Sequence, residues 1–412
     1  MKILIIGSGG REHAIGWKIK RDNSLAQLFF APGNAGTSEL GTNILQDKII
    51  DLLNFAKENK IDLTFVGSET LLVEGIVDVF KENNLKAFGP DKKSAQLEGS
   101  KAFAKDFMQK YSIKTARYKN FTNCLLAKEY LTAQEFPIVV KASGLAAGKG
   151  VVICQDLDKA IEAVDEIMED KVFGDAGNEV VIEEFLEGFE ASILSVFNGK
   201  EIFPFLSAKD HKKIGEGEKG LNTGGMGVVA PNPLFKENHN QQFIKDILIP
   251  TQKGLLKENL IFSGIIFFGL MITENGVYLL EYNLRMGDPE TQALMPLLDS
   301  SFISIVENSL NQEPINLLWK NKSSCCVVLS SGGYPLNFEK GFEINGTKKV
   351  TSNLFIAGAV LNHENKMITA GGRVLNVVGL GNNLKEAKEN AYNNIEHIHF
   401  DYQYFRKDIG DI

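Results

Sequence analysis

The chain has 412 residues, of which 44% are hydrophobic and 23% are charged. At roughly 150 residues per domain this is enough apolar material for several packed cores, and it excludes a wholly disordered chain. The 52 acidic and 44 basic residues give a net charge of −8, the wrong sign for binding nucleic acid through non-specific phosphate contacts.

The first hundred residues alternate between strand, glycine turn and helix. The run KILII stops at glycines and precedes a helix from Glu12 to about Lys20, and the later runs QLFFA and IDLTFVG also end in turns. Such alternation indicates a parallel sheet covered by helices on both faces. We therefore predict a Rossmann-like N-terminal domain over residues 1–101.

The turn GSGGREHA, residues 7–14, lies where helix amides and the helix dipole favour a phosphate. A dinucleotide fingerprint would need a third glycine where His13 or Ala14 stands, and a carboxylate after the second strand, which ends in QLFFA without one. The turn thus favours either a purely structural role or a phosphate ligand smaller than NAD. An NAD-dependent Rossmann oxidoreductase is the alternative from another enzyme class.

A central domain is predicted over residues 102–320, with a helix from about Ala102 to Tyr111 and then strands typical of an antiparallel sheet. The segment PIVVKASGLAAGKG, residues 137–150, puts Lys141 on a strand before a glycine-rich loop that carries Lys149. A fixed ammonium beside mobile backbone donors suits a polyphosphate, although the spacing is not that of a Walker P-loop. We predict a mobile lid over about residues 120–190.

The segment VYLLEYNLRMGDPET, residues 277–291, carries the sharpest chemical signal. Alternation along a strand puts Glu281 and Asn283 on one face, where their oxygens suit Mg²⁺ completed by water and phosphate. Arg285 would share this face if the strand continued, and could clamp a phosphoryl or carboxylate oxygen.

From about Ser323, short strands and a helix near residues 383–397 predict a small α+β domain over residues 321–412. The four cysteines are too few for a disulfide framework and lack zinc-site spacing, which favours a reducing cytoplasm. Cys325 and Cys326 are adjacent on a strand, so we expect one in the core and one on the surface. The longest apolar stretch, residues 265–272, is far below the ~20 residues that cross a bilayer.

Four features follow one another in the chain: the strand with Lys141, the glycine-rich loop, the segment EEFL (residues 183–186) and the strand with the ExN motif (residues 281–283). This order resembles the ATP-grasp superfamily. Within it, the chain resembles the phosphoribosylamine–glycine ligase family, through motifs that run in order from Gly7 to Gly410. These motifs are GSGGREHA, APGNAGT, LEGSKAFAKDFM, KASGLAAGKG, FGDAG, VIEEFLEG, KDHKKIGEGEKGLNTGGMG, EYNLRMGDPET and FRKDIG. Ser143 stands where the family pattern has an aspartate, in the glycine-rich loop after the strand that carries Lys141, here called the lysine loop.

The resemblance implies a multidomain α/β and α+β fold with a central ATP-grasp domain. It also implies an ADP-forming ligase that joins glycine to 5-phosphoribosylamine through glycyl phosphate, giving glycinamide ribonucleotide in purine biosynthesis. A purine-pathway ATP-grasp ligase that uses formate or carbonate is the alternative within the superfamily. The implied partners are small molecules, without nucleic acid or membrane, and a cytoplasmic monomer is one of the states that the sequence leaves open.

The resemblance further assigns roles to individual residues. The residues assigned to ATP are Lys101, Lys141, Gly148, Lys149, Glu183, Glu184, Phe185, Leu186 and Glu190. Those assigned to Mg²⁺ or Mn²⁺ are Glu281 and Asn283. Those assigned to catalysis are Arg285, Lys141 and Asp210. Those assigned to glycine and the sugar phosphate are Gly9, Gly10, Asn34, Gly36, Asp210, Thr223, Gly224, Gly225, Gly227 and Arg285.

Overall fold

The structure is a computed structural model that describes residues 1–146 and 148–412. Its N-terminal part is a five-stranded parallel sheet in the order β3-β2-β1-β4-β5, with apolar clusters on both faces, as predicted. The strands are β1 (Lys2–Gly7), β2 (Gln27–Pro32), β3 (Thr42–Asn43), β4 (Leu63–Val66) and β5 (Ala87–Phe88). The helices are α1 (Gly10–Asp22), α2 (Thr37–Leu40), α3 (Ile49–Glu58), α4 (Glu69–Glu74), α5 (Ile76–Glu82) and α6 (Gln96–Gly99).

A four-stranded antiparallel sheet in the order β6-β9-β7-β8 forms the region in which the lid was predicted. Helices α8 and α9 contribute to its single apolar cluster, since their buried residues pack with those of the strands. The elements are α7 (Lys101–Lys110), β6 (Tyr118–Phe121), α8 (Cys124–Leu131), β7 (Ile138–Ala142), β8 (Val151–Cys154), α9 (Leu157–Met168) and β9 (Val180–Glu184).

The next segment contains the long antiparallel strands. Its strands are β10 (Phe189–Asn198), β11 (Ile202–Asp210), β12 (Lys213–Gly215), β13 (Lys219–Asn222), β14 (Gly227–Ala230), β15 (Ser263–Thr273) and β16 (Gly276–Asn283). Its helices are α10 (Glu237–Phe243), α11 (Ile249–Lys257), α12 (Glu290–Leu294) and α13 (Phe302–Leu310), with a π-helical segment Ile244–Leu248 between the first two.

The C-terminal strands extend the central sheet, apart from two that pair with each other in a separate two-stranded sheet. The C-terminal strands are β17 (Ser323–Ser331), β18 (Asn353–Ile356), β19 (Ala359–Leu361), β20 (Met367–Thr369), β21 (Arg373–Gly381) and β22 (Gln403–Tyr404), with helix α14 (Leu384–Ile395). The separate pair is β19 with β20. Strand β17 pairs with β14, which continues the order β16-β15-β10-β11-β14-β17-β21-β18. The Thr223–Gly227 loop before β14 therefore lies beside the C-terminal strands.

The expectation that Cys325 and Cys326 divide between core and surface is wrong. Both side chains are fully buried, Cys326 in the cluster shared with the N-terminal domain and Cys325 in the C-terminal cluster. The reason is that β17 is covered on both faces, so opposite orientations both lead into apolar surroundings. All four cysteines are free thiols. Among the described residues, no helix is long and apolar enough to cross a membrane.

Candidate active site

A β-bulge determines which way the predicted metal ligands face. The register between β15 and β16 shifts between Gly269 and Leu270, which pair with Glu281 and Leu279. Before the bulge Val277 and Leu279 point into the core, and after it the buried residue is Tyr282. The extra residue thus turns Glu281 and Asn283 away from the core, as a bulge commonly does beside an active site.

Glu281 is an ionised carboxylate surrounded by lysines. Burial by itself would raise its pKa, but the charges of Lys212, Lys141 and Lys101 hold the pKa below its usual value. Within residues 1–146 and 148–412, no group of three or more His, Cys, Asp and Glu side chains could hold a metal. One carboxylate and one amide oxygen nevertheless fit a divalent cation that takes its other ligands from phosphates and water.

The carboxylate of Glu183, a residue assigned to the adenine-binding segment, points towards two lysines. Its side chain is 2% exposed and lies 2.9 Å from Lys141 Nζ and 3.0 Å from Lys105 Nζ. Burial would raise the pKa of Glu183, but the two ammonium groups outweigh it and lower the pKa. Lys105, which the sequence analysis missed, also donates to Thr115 Oγ1 at 2.7 Å.

Lys101 begins α7 and reaches the lysine loop. Its backbone nitrogen donates to Ser143 O at 2.7 Å and its Nζ to Gly144 O at 3.3 Å. Ser143 Oγ in turn accepts from Ala102 N at 3.1 Å, so the residue that departs from the family pattern helps to cap this helix. Gly144 N donates to Ala176 O at 3.1 Å, which joins the lysine loop to the FGDAG segment.

Lys149 and Gly148 are exposed in the loop between β7 and β8, where a polyphosphate could be covered. Gly148 has a φ of +75°, a conformation that favours glycine, and among the described residues beyond its chain neighbours no atom lies within 4 Å of the Cβ position. The motif also contains Ala147, which lies outside the described residues.

The segment after β9 is open to solvent. Glu184 pairs with Arg117 at 2.6 Å, and Phe185 is 37% exposed next to the partly buried Leu186. Glu190 lies at the start of β10 and pairs with Lys212 at 2.6 Å. Backbone groups of this segment are therefore accessible to a planar base, with a carboxylate close by.

Asp210 and Glu290 are two carboxyl groups whose pKa values are both raised. Burial raises the pKa of Asp210 well above its ordinary value, and the charge of Glu290 raises it further. Burial also raises the pKa of Glu290, which accepts from Ser192 Oγ at 3.1 Å. No hydrogen-bond partner for Asp210 Oδ1 exists within the described part of the chain. The pair is suited to an ammonium group, which would relieve the repulsion.

The Thr223–Gly227 loop encloses Asp210 on one side. Thr223 Oγ1 donates to Lys212 O at 2.8 Å and accepts from Gly225 N at 3.0 Å. A Cβ on Gly225 would lie 2.6 Å from Asp210 Oδ1. Gly224 is exposed, whereas Gly227 begins β14 and is buried, with its Cβ position 2.7 Å from Ile409.

A cavity of about 760 Å³ opens at the carboxyl ends of β1, β2 and β4. Gly9, Arg11, Lys48 and Glu69 are among its lining residues. Arg11 connects the domains, since it donates to Gly67 O at 2.6 Å and to Met286 O at 2.8 Å.

Gly10, Asn34 and Gly36, also assigned to the sugar phosphate, are buried and lie outside the lining of this cavity. Asn34 Nδ2 donates to Ser8 O at 2.8 Å and to Ile356 O at 2.9 Å, while its Oδ1 accepts from Gly36 N at 2.8 Å. The bond from Asn34 to Ile356 joins the N-terminal and C-terminal parts of the chain.

The glycine turn is also occupied by a carboxylate. Glu12 Oε2 accepts from Gly9 N at 2.7 Å, and Glu12 is 1% exposed. Glu12 is in turn paired with Arg11, whose Nε lies 2.5 Å from Glu12 Oε1. The amide of Gly9 therefore has its hydrogen-bond partner within the turn.

Arg285 lies beyond the strand, because β16 ends at Asn283. Its Nε is 3.3 Å from Glu98 Oε1 and 3.7 Å from Glu69 Oε2, and its Nη2 donates to Asn283 Oδ1 at 3.3 Å. Arg285 thus lies between the cavity and the predicted metal ligands.

Sequence reasoning missed Lys105, Lys212 and Glu290 as members of this site. Alternation would have indicated Lys212, which is two residues after Asp210, as Asn283 is after Glu281. Glu290 lies inside the quoted GDPET motif. The sequence contains no comparable signal for Lys105, because its position in an amphipathic helix is equally consistent with solvent exposure.

Three family models match the chain in order. They are the N domain of phosphoribosylglycinamide synthetase over residues 1–98, its ATP-grasp (A) domain over residues 99–291 and its C domain over residues 324–412.

Two relatives that align with the whole of this chain are both phosphoribosylamine–glycine ligases. The phosphoribosylamine–glycine ligase of Fusobacterium nucleatum is 54% identical over 421 residues, covering 100% of this chain and 99% of the relative. That of Clostridium acetobutylicum is 51% identical over 415 residues, with the same coverage. A crystal structure of phosphoribosylamine–glycine ligase from Thermotoga maritima has a TM-score of 0.88 at 33% identity, covering 99% of this chain and 100% of that one.

A biotin carboxylase from Campylobacter jejuni, in a β,γ-ATP complex, has a TM-score of 0.74 at 13% identity and covers 99% of this chain and 94% of that one. At this level of identity the likeness concerns the fold alone.

Proposed function

The chain belongs to the phosphoribosylglycinamide synthetase family, and from this premise we propose that it joins glycine to 5-phosphoribosylamine at the expense of ATP. The products are glycinamide ribonucleotide, ADP and phosphate, in purine biosynthesis. ATP-grasp enzymes use ATP with a divalent metal. The observation that carries the proposal is the meeting of an ionised Glu281, Asn283 and the lysines that approach them.

The reaction needs activation because the carboxylate of glycine is a poor acyl donor. Phosphorylation by ATP converts it to glycyl phosphate, and the amine of phosphoribosylamine then displaces phosphate from the acyl carbon. Phosphoryl transfer depends mainly on positioning and charge neutralisation, and the lysines near Glu281, which are Lys101, Lys141 and Lys212, can supply both.

For ATP, Lys101 and Lys141 face the phosphates, and Lys149 with Gly148 closes over them. The backbone of the Glu184–Leu186 segment receives the adenine, and Glu190 receives the ribose. Glu183 acts indirectly, since its carboxylate holds Lys141 in place. Closure of the loop keeps water away from the acyl phosphate.

Glu281 and Asn283 are the residues that would hold Mg²⁺ or Mn²⁺, which when bound neutralises phosphate charge. Asp210 and Glu290 receive the ammonium group of glycine, beside the Thr223–Gly225 loop. Arg285 steadies the acyl phosphate. Phosphoribosylamine occupies the cavity lined by Gly9, where Lys48 is exposed to its phosphate.

The test is a coupled ADP assay with freshly generated phosphoribosylamine. We expect ADP release that requires glycine, and little release when phosphoribosylamine is omitted. Formate and bicarbonate in place of glycine are the matched controls. ADP release with either of them, and none with glycine, would contradict the proposal. A cytoplasmic location and a monomeric state stay predictions.

A further inference from the structure

The Thr223–Gly227 loop is gripped by an arginine of the C-terminal domain. Arg373, the first residue of β21, donates through Nη1 to the carbonyl oxygens of Gly224, of Gly225 at 3.4 Å and of Asp288 at 2.7 Å. Its Nη2 lies 3.2 Å from Asp288 Oδ1. One guanidinium therefore joins the loop to the turn that follows the ExN strand.

A second C-terminal residue contacts the same loop. The hydroxyl of Tyr334 accepts from Gly224 N at 2.9 Å. Both the amide and the carbonyl of Gly224 are thus bound by C-terminal side chains, although Gly224 itself is exposed. Thr223 restrains Gly225 from within the loop, whereas Gly224 has no side chain and is held from the C-terminal side.

The position of the loop controls the surroundings of Asp210. Gly225 has a φ of +109°, and its Cβ position is 2.6 Å from Asp210 Oδ1, so the backbone lies directly against this carboxylate. The charge of Arg373 is also felt by Asp210, whose pKa it lowers in opposition to the dominant effect of burial. Shape and charge at Asp210 both depend on this arginine.

We propose that Arg373, assisted by Tyr334, is a positioning residue that fixes the Thr223–Gly227 loop and thereby forms the amino acid pocket. The C-terminal domain then completes the pocket of the ATP-grasp domain. This inference rests on the proposed function, in which Asp210 receives glycine.

The experiment compares Arg373→Met, Arg373→Lys and Tyr334→Phe with the full-length wild type. For Arg373→Met we expect kcat/KM for glycine to fall by roughly 100-fold, as displaced positioning groups do, while KM for ATP is unchanged. Arg373→Lys keeps the positive charge but lacks the forked geometry of the guanidinium, so its kcat/KM for glycine should lie between those of Arg373→Met and the wild type. Lys366→Met, at a half-exposed residue on β20's flank, is the control and should behave as wild type.

Tyr334→Phe removes one hydroxyl and keeps the ring, so it tests the inference even where Arg373→Met fails to fold. The loss of one hydrogen bond should raise KM for glycine by about 2- to 10-fold. A wild-type KM for glycine in Tyr334→Phe, or in a folded Arg373→Met, would overturn the inference. So would an equal loss for glycine and ATP in both variants. Absence of glycine-dependent ADP release by the wild type would instead contradict the proposed function.

Discussion

The buried group of Lys105, Glu183 and Lys141 gives a sharp test of the site's electrostatics. Glu183→Gln keeps the shape of the side chain but removes the negative charge between two ammonium groups that lie 2.9 and 3.0 Å away. Breaking a buried ion pair in this way leaves uncompensated charge and costs about 3–5 kcal/mol. The variant should therefore unfold at a markedly lower urea concentration than the wild type.

The neighbouring Glu184→Gln is the matched control. Its partner Arg117 has a side chain that is 86% exposed, and exposed pairs contribute about 0–1 kcal/mol. Urea denaturation followed by circular dichroism at pH 7 measures both variants. Equal unfolding midpoints for Glu183→Gln and Glu184→Gln would refute the reasoning.

Lys105 provides a second check on the same charges. Burial lowers its pKa to about 8, so above that pH the folded protein holds a neutral amine while the unfolded chain keeps its proton up to 10.5. A lysine whose pKa is lowered by folding destabilises the protein most below pH 8, and this cost is relieved as the pH rises. The charge of Glu183 raises the pKa of Lys105, so Glu183→Gln lowers that pKa further. The stability difference between Glu183→Gln and the wild type should therefore narrow as the pH rises from 7 towards 8, and Lys105→Met should restore part of the stability of Glu183→Gln at pH 7.

Three further predictions concern other parts of the molecule. Glu281→Ala and Asn283→Ala should each abolish ADP formation with an unchanged circular dichroism spectrum, and near-normal turnover in both would contradict the metal assignment. Burial lowers the pKa of His13 to about 4, so between pH 6.5 and 4 only the unfolded chain takes up a proton at this residue. The free energy of unfolding should therefore decrease as the pH is lowered from 6.5 to 4, and this decrease should be less steep in His13→Asn. Gly10→Ala would place a methyl group 2.4 and 2.6 Å from two buried amide nitrogens, and should cost about 1–3 kcal/mol; an unchanged melting temperature would argue against this close packing.

Local patterns were sufficient for most elements and for part of the site. The first apolar run became the central strand β1, and the helix near the C-terminus became α14. Glu281 and Asn283 lie on one face because alternation is a local property of any strand. The bulge that turns this face away from the core has no signal in the sequence, since it depends on how β16 pairs with β15.

The sequence by itself determined the order of elements, the lysine strand with its glycine loop, and the family. Only the tertiary structure decided what surrounds each side chain. In the folded chain Glu183 is buried between two lysines, and Asn34 joins segments that are distant in sequence. The strand that carries Cys325 is covered on both faces, and Arg373 contacts a loop about 150 residues earlier in the chain. The physical reason is that a residue pattern reports which face of an element is polar, whereas burial, pairing and pKa depend on groups that are distant in the chain.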